Sequence, residues 1–232
     1  MVKKILSIIT LIVLCFRVTF GCTLIPSNFN EKFSFTIVLD AGHGGIDGGV
    51  IGVNSKVKES ELNLLTVKEL KTVFENAGFN VILTRKDENG LYGDTTSGFK
   101  LRDLNKRKEI VNSSNADVLI SIHMNKYQDK RRRGAQVFYK QNDKTSNFLA
   151  EKIQNRLNLM KESSRISNSL KGDYYILNTS KIPAVIVECG FLSNEKDEEL
   201  LLSESYRKKL AIEIFNGVND YLTVKYSSYE NL

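Results

Sequence analysis

The chain contains only two histidines, His43 and His123, and each stands at the end of an apolar, β-branched run. The local sequences are Asp40-Ala41-Gly42-His43-Gly44-Gly45 and Ser121-Ile122-His123-Met124-Asn125; a third such run ends in Val187-Glu188-Cys189-Gly190. If the runs are strands of an open α/β sheet, their carboxyl ends converge on one ligand crevice. Two histidines 80 positions apart in sequence would then meet in space, with a carboxylate delivered to the same edge. Each residue taken alone reads as an ordinary satisfied polar group at a strand end. Two neutral imidazoles and a carboxylate together make the ligand set of a catalytic zinc site, which keeps its fourth position open. A structural zinc would normally be closed by four protein ligands, often cysteines.

A further acid is needed beside the three. Glu59 and Glu61 both fall in the first turn of a helix expected after the glycine-rich loop of His43. Acids there also suit the helix dipole, so the residues themselves leave both open. Gly42, Gly44, Gly45, Gly48 and Gly49 let the backbone pass close to a metal or substrate. No Gly-Lys-Ser/Thr follows them and no dinucleotide fingerprint opens the helix, which argues against a nucleotide ligand. There is no Gly-x-Ser-x-Gly elbow, and Cys189 would need a nearby base to act as a nucleophile. If the run through Val187 is a strand, Cys189 points to the face opposite Glu188 and serves packing.

The elements that would position these residues are legible in the apolar pattern. Phe35–Leu39, Val81–Leu83, Val118–Ile122 and Ala184–Val187 show little apolar/polar alternation and read as strands buried on both faces. Glu59–Ala77 carries a helical stripe closed by Gly78; Arg102–Asn112, Thr145–Leu157 and Tyr206–Leu222 read as further helices. Ala135–Tyr139 and Tyr174–Leu177 are candidate extra strands, and Leu91–Gly98 is an exposed loop. The pattern predicts an α/β fold: a mostly parallel, twisted sheet of about six strands flanked by helices, with the site at the strand C-terminal ends.

Of the 232 residues, 41% are apolar, enough for one sizeable core, and no Pro- or Ser-rich linker divides the middle. Lys3 and Lys4 precede the short apolar run Ile5–Phe16, so residues 1–22 read as a signal peptide or an N-terminal membrane anchor, and the protein is expected to be exported. Phe20-Gly21-Cys22 is compatible with lipidation only in part, because Thr19 stands where an aliphatic residue belongs. Removing residues 1–21 takes away Lys3, Lys4 and Arg17 and lowers the formal charge from +6 to +3. That mild balance gives no reason to expect a nucleic-acid partner. The run Lys130-Arg131-Arg132-Arg133 reads as a solvated loop first and as a docking surface second. Two of three cysteines lie at or before residue 22, so the body cannot depend on an internal disulfide.

Leu-Asp-Ala-Gly-His-Gly-Gly, Lys-Glu-Ser-Glu-Leu-Asn-Leu, Asn-Lys-Arg-Lys-Glu-Ile-Val-Asn, Ser-Ile-His-Met-Asn and Val-Glu-Cys-Gly-Phe-Leu-Ser-Asn occur in that order over residues 34–222. Together they resemble the signatures of N-acetylmuramoyl-L-alanine amidases of the amidase-3 type. The resemblance implies a zinc amidase domain over residues 34–222 that acts on peptidoglycan, with His43, Glu59 and His123 as zinc ligands and Glu188 as the catalytic carboxylate. Met124 stands where the family more usually has a smaller residue, which implies an altered pocket wall. The Gly-Phe-Lys-Leu-Arg-Asp segment, the N-terminal segment and the lack of a wall-binding module resemble the spore-cortex subgroup, the CwlD amidases. That subgroup implies a role in making muramic-δ-lactam during sporulation, at the outer face of the membrane or in the wall space around the forespore. Targeting would then rest on the N-terminal segment or on an envelope partner such as a lipoprotein.

Overall fold

The computed structural model describes residues 35–163 and 166–227. The reading of residues 1–22 lies outside them. Along the chain run β1 (Thr36–Ala41), α1 (Glu59–Asn76), β2 (Asn80–Leu83), α2 (Phe99–Ser113), β3 (Val118–Asn125) and β4 (Gln136–Lys140). There follow α3 (Lys144–Asn158), β5 (Leu170–Gly172), α4 (Tyr175–Thr179), β6 (Ala184–Phe191), α5 (Glu195–Leu202) and α6 (Glu204–Ser227). The six strands form one sheet in the order β2-β1-β3-β6-β4-β5. Every pairing is parallel except β4 against β6. The mostly parallel sheet expected from the sequence is the one observed.

Strand alternation divides the interior in two. Ile37, Leu39, Ile120, Ile122 and Val187 point to one side, where α1, α3 and α6 cover them. Val38, Leu119 and Ile186 point to the other, under α2 and α4. On this second face the side chains turn polar toward the strand ends: Asp40 follows Val38, Ser121 and His123 follow Leu119, and Glu188 follows Ile186. Register places Asp40 beside Ser121 and His123 beside Glu188.

Helix α1, which carries Glu59, is closed by a Schellman turn. Gly78 sits at φ +88°; its N–H donates to the Glu75 carbonyl and that of Phe79 to the Phe74 carbonyl. The Phe74 and Phe79 rings meet edge to face at 5.3 Å. Burying a side chain such as Phe74 contributes about 1.5–3 kcal/mol, so the core face of α1 fixes its position on the sheet.

Four expectations change. Tyr174–Leu177 is not a strand: α4 occupies Tyr175–Thr179, and the short strand β5 lies just before it. Its apolar residues face one way because Ile176 and Leu177 both enter the second core, which suits one helical turn as well as a buried strand. Helix α2 begins at Phe99, so part of the Gly98–Asp103 segment is helical. Met124 is buried in the first core and forms no pocket wall, because it alternates with His123. The basic run is only partly solvated: Arg132 lies 4.6 Å from the Tyr127 ring centroid and Arg133 pairs with Asp197. Cys189 is a free thiol in the first core, on the face opposite Glu188. Among the described residues no helix is long and apolar enough to cross a membrane.

Helix α6 meets α3 at Gly217, where an added Cβ would stand 2.5 Å from the Ile153 Cα. Helix propensity alone favours Gly217→Ala by about 1 kcal/mol. Backbone has nowhere to move, and overpacking costs typically about 1–3 kcal/mol. Gly217→Ala is therefore expected to lower the urea midpoint; a raised midpoint would show that the helices can part without cost.

Candidate metal centre

The site is assembled from a loop, a helix start and two strand ends. His43 follows β1 in a left-handed conformation, φ 62°. Its Nδ1 meets an oxygen of Asp47 at 3.0 Å, and its Nε2 lies 3.3 Å from Glu59 Oε1. His123 presents Nδ1 to the same Glu59 oxygen at 2.9 Å. The two imidazoles cross at near right angles with centroids 5.0 Å apart. One donor atom from each of His43, Glu59 and His123 falls within 4.8 Å of the others.

Glu59 is held by N–H donors as well as by the imidazoles. Its Oε2 accepts from the Val50 N–H at 2.8 Å; its Oε1 accepts from the Met124 N–H at 3.1 Å and from Asn63 Nδ2 at 3.3 Å. Burial alone would raise its pKa, but the two histidines hold it well below the usual carboxylate range. Burial likewise opposes the charged form of His43, yet Asp47 and Glu59 raise its pKa to about 10. A buried carboxylate, two imidazoles and a further carboxylate behind one of them recruit positive charge, so the donor set fits a divalent cation. Glu61 is exposed and belongs to no such cluster, which separates the two acids that sequence left open.

Glu188 sits beside His123 on the neighbouring strand and is 7% exposed. Its Oε2 is buried with no hydrogen-bond partner. Burial, with Glu59 adding to it and the histidines opposing, pushes its pKa up to about 7. That suits a group that must take a proton near neutrality and give it back. Cys189 offers no rival nucleophile, because burial pushes its thiol far up and away from the thiolate.

Under the site lies a polar network that local sequence did not reveal. Arg107 from α2 pairs with Asp40 and Asp103, and donates to the Ala41 carbonyl at 2.7 Å and to the His43 carbonyl. Arg85 donates to the Ala41, Gly42 and Ser60 carbonyls at 2.9, 3.1 and 2.7 Å. Asn63 spans Gly42 and Glu59. Gly42 is required by contact, since a Cβ there would stand 2.2 Å from the His123 ring. Asp47, four residues past His43 in a glycine-rich loop, had a local signal; the Asp40–Arg107 pair, 67 residues apart, had none.

Comparison with known proteins gives a concordant result. A family model described as N-acetylmuramoyl-L-alanine amidase matches residues 37–220. The chain is similar to the germination-specific N-acetylmuramoyl-L-alanine amidase of Bacillus subtilis, with 33% identity over 196 residues that cover 82% of this chain and 80% of the relative. It is 28% identical over 229 residues to the amidase AmiA of Escherichia coli, covering 80% and 75% respectively. Among solved structures it resembles the CwlD amidase from Clostridioides difficile in complex with the GerS lipoprotein. The identity there is 40% and the TM-score 0.76, covering 82% of this chain and 100% of that one.

Burial raises the pKa of Asp40, but Arg107, with Ser121 and Thr84 hydroxyls, outweighs it and lowers the value from 3.8 to about 2. Its ionised form therefore stabilises the fold fully above the unfolded value, and this contribution is lost as pH falls through about 2. Asp40→Asn leaves Arg107 buried without its full charge partner, a change that typically costs about 3–5 kcal/mol. Urea unfolding should show that loss at neutral pH, shrinking between about pH 4 and pH 2; a variant as stable as the parent at pH 7 would refute the reading of this pair.

Proposed function

The chain belongs to the N-acetylmuramoyl-L-alanine amidases of the amidase-3 type and is a peptidoglycan amidase; from that premise we propose that His43, Glu59 and His123 hold a zinc ion and that Glu188 is its catalytic carboxylate. The observation that carries this assignment is the opposite environment of two neighbouring acids. Glu59 is saturated with N–H donors and imidazoles, whereas Glu188, beside His123, keeps a buried Oε2 with none. The first is built as a ligand, the second as a proton carrier. When bound, zinc polarises the amide carbonyl and acidifies water.

Glu188 takes the proton from the attacking water. The water oxygen bonds to the lactyl carbonyl carbon, the carbon–nitrogen bond breaks, and Glu188 returns the proton to the departing L-alanine nitrogen. Asp47 orients His43 through Nδ1, which leaves Nε2 for the ion. Asn63 and the Met124 N–H fix the plane of Glu59.

Residues 1–22 act in this proposal as the export signal or anchor, and residues 34–222 as the catalytic domain. Similarity to a germination-specific amidase and to CwlD supports a role in spore-cortex muramic-δ-lactam formation, on the outer face of the membrane or in the space around the forespore. The CwlD structure contains a lipoprotein, which supports a lipoprotein regulatory partner here as well.

Ligand and base should fail differently. His43→Ala, Glu59→Gln and His123→Ala are expected to lower zinc content and activity together. Glu188→Gln should keep near-full zinc while turnover falls by roughly 10²–10⁴-fold, and Glu61→Gln should change neither. Zinc per protein and release of new amino termini from purified peptidoglycan, measured side by side, check all five variants. Loss of zinc in Glu188→Gln with retention in Glu59→Gln would reverse the two roles.

A further inference from the structure

The segment Gly98–Asp103 has no part in holding the ion or moving the proton, yet its helical portion lines the cavity over the site. That cavity, about 220 Å³, is lined by His43 and His123 and by the apolar side chains of Leu104 and Ile176. Lys100, from the first turn of α2, contributes an exposed ammonium to the lining. The carboxylates nearby are already engaged. Asp47 serves His43 and the Gly49 N–H, and Asp103 serves Arg107 and the Leu91 N–H. Arg107, the other cation of the lining, is committed to Asp40, Asp103 and two carbonyls. Among the described residues no carboxylate lies within ion-pair distance of Lys100, which stands 6.0 Å from the Phe99 ring centroid and acts on Asp47 only through its field. The cavity therefore offers one positive charge outside any ion pair, in a lining shared with apolar side chains and two donors for the ion.

An anionic group on the substrate answers that charge. In a peptidoglycan stem the L-alanine is followed by D-glutamate joined through its γ-carboxyl group. Its α-carboxylate is left free, or amidated, only a few covalent bonds from the scissile nitrogen. We infer that Lys100 determines specificity on the peptide side: its ammonium engages that free α-carboxylate while the alanine methyl rests against Leu104 and Ile176. This rests on the assignment of the site proposed above. The ion pair lies at a solvent-open rim, where such pairs are worth at most about fivefold in binding and weaken with salt.

The test uses the zinc-loaded enzyme with two synthetic muramoyl peptides that differ only in a free or amidated α-carboxyl group on the second residue. The parent should favour the free acid by about fivefold in kcat/KM, through KM. Lys100→Met should abolish that preference, leaving kcat on the amidated substrate and zinc content unchanged, and Lys100→Arg should restore it. Equal use of both substrates by the parent, or a preference that survives in Lys100→Met, would overturn the inference while leaving the amidase assignment standing. Failure of the zinc-loaded parent to cleave either substrate would overturn both, and is thereby distinct from a loss of selectivity alone.

Discussion

The ion pair between Asp40 and Arg107 is the interaction on which the site depends. Both side chains are nearly inaccessible to solvent, so their desolvation must be offset by close geometry and by hydrogen bonds to the remaining valences. Ser121 and Thr84 satisfy the carboxylate; Asp103 and two backbone carbonyls satisfy the guanidinium. Those carbonyls belong to Ala41 and His43, and Arg85 shares the Ala41 carbonyl and holds that of Gly42 between them. The left-handed backbone of His43 is unfavourable for a residue with a side chain, and it persists because these donors over-determine it. One pair of charges thus aims an imidazole that neither of them touches through its side chain.

Two glutamates a short distance apart acquire different chemistry from their surroundings alone. Glu59 gains three N–H donors and two imidazoles and stays ionised. Glu188 gains burial and the field of Glu59, so its proton is held more tightly. Environments that push two like groups apart in this way are the usual mark of divided roles in an active centre.

Much of this was legible in the sequence, and the limits have physical causes. The four main strands announce themselves as short continuous apolar runs buried on both faces, and the helix after His43 by its apolar stripe. Tyr174–Leu177 misled because a single helical turn and a short buried strand present the same few apolar residues. His43, His123 and Glu188 stood out because strand ends converge, whatever the distance in sequence. The choice of Glu59 over Glu61 came from family resemblance, since both occupy the first helical turn; in space the two differ in burial and in the Val50 and Met124 N–H groups that Glu59 alone accepts. Asp40 with Arg107, and Asn63 with Gly42, pair through tertiary folding, and no local pattern encodes such partners.

The backbone grip on Glu59 bears on how the site relates to the cores. Its two peptide N–H donors come from the loop after β1 and from β3, and both cores form from side chains that lie apart from the three donors. Neither core includes the donors for the ion, in contrast to small domains whose core is the metal itself. The three donors are thus set on a scaffold packed without them, so replacing any one of them alters the site and empties neither core.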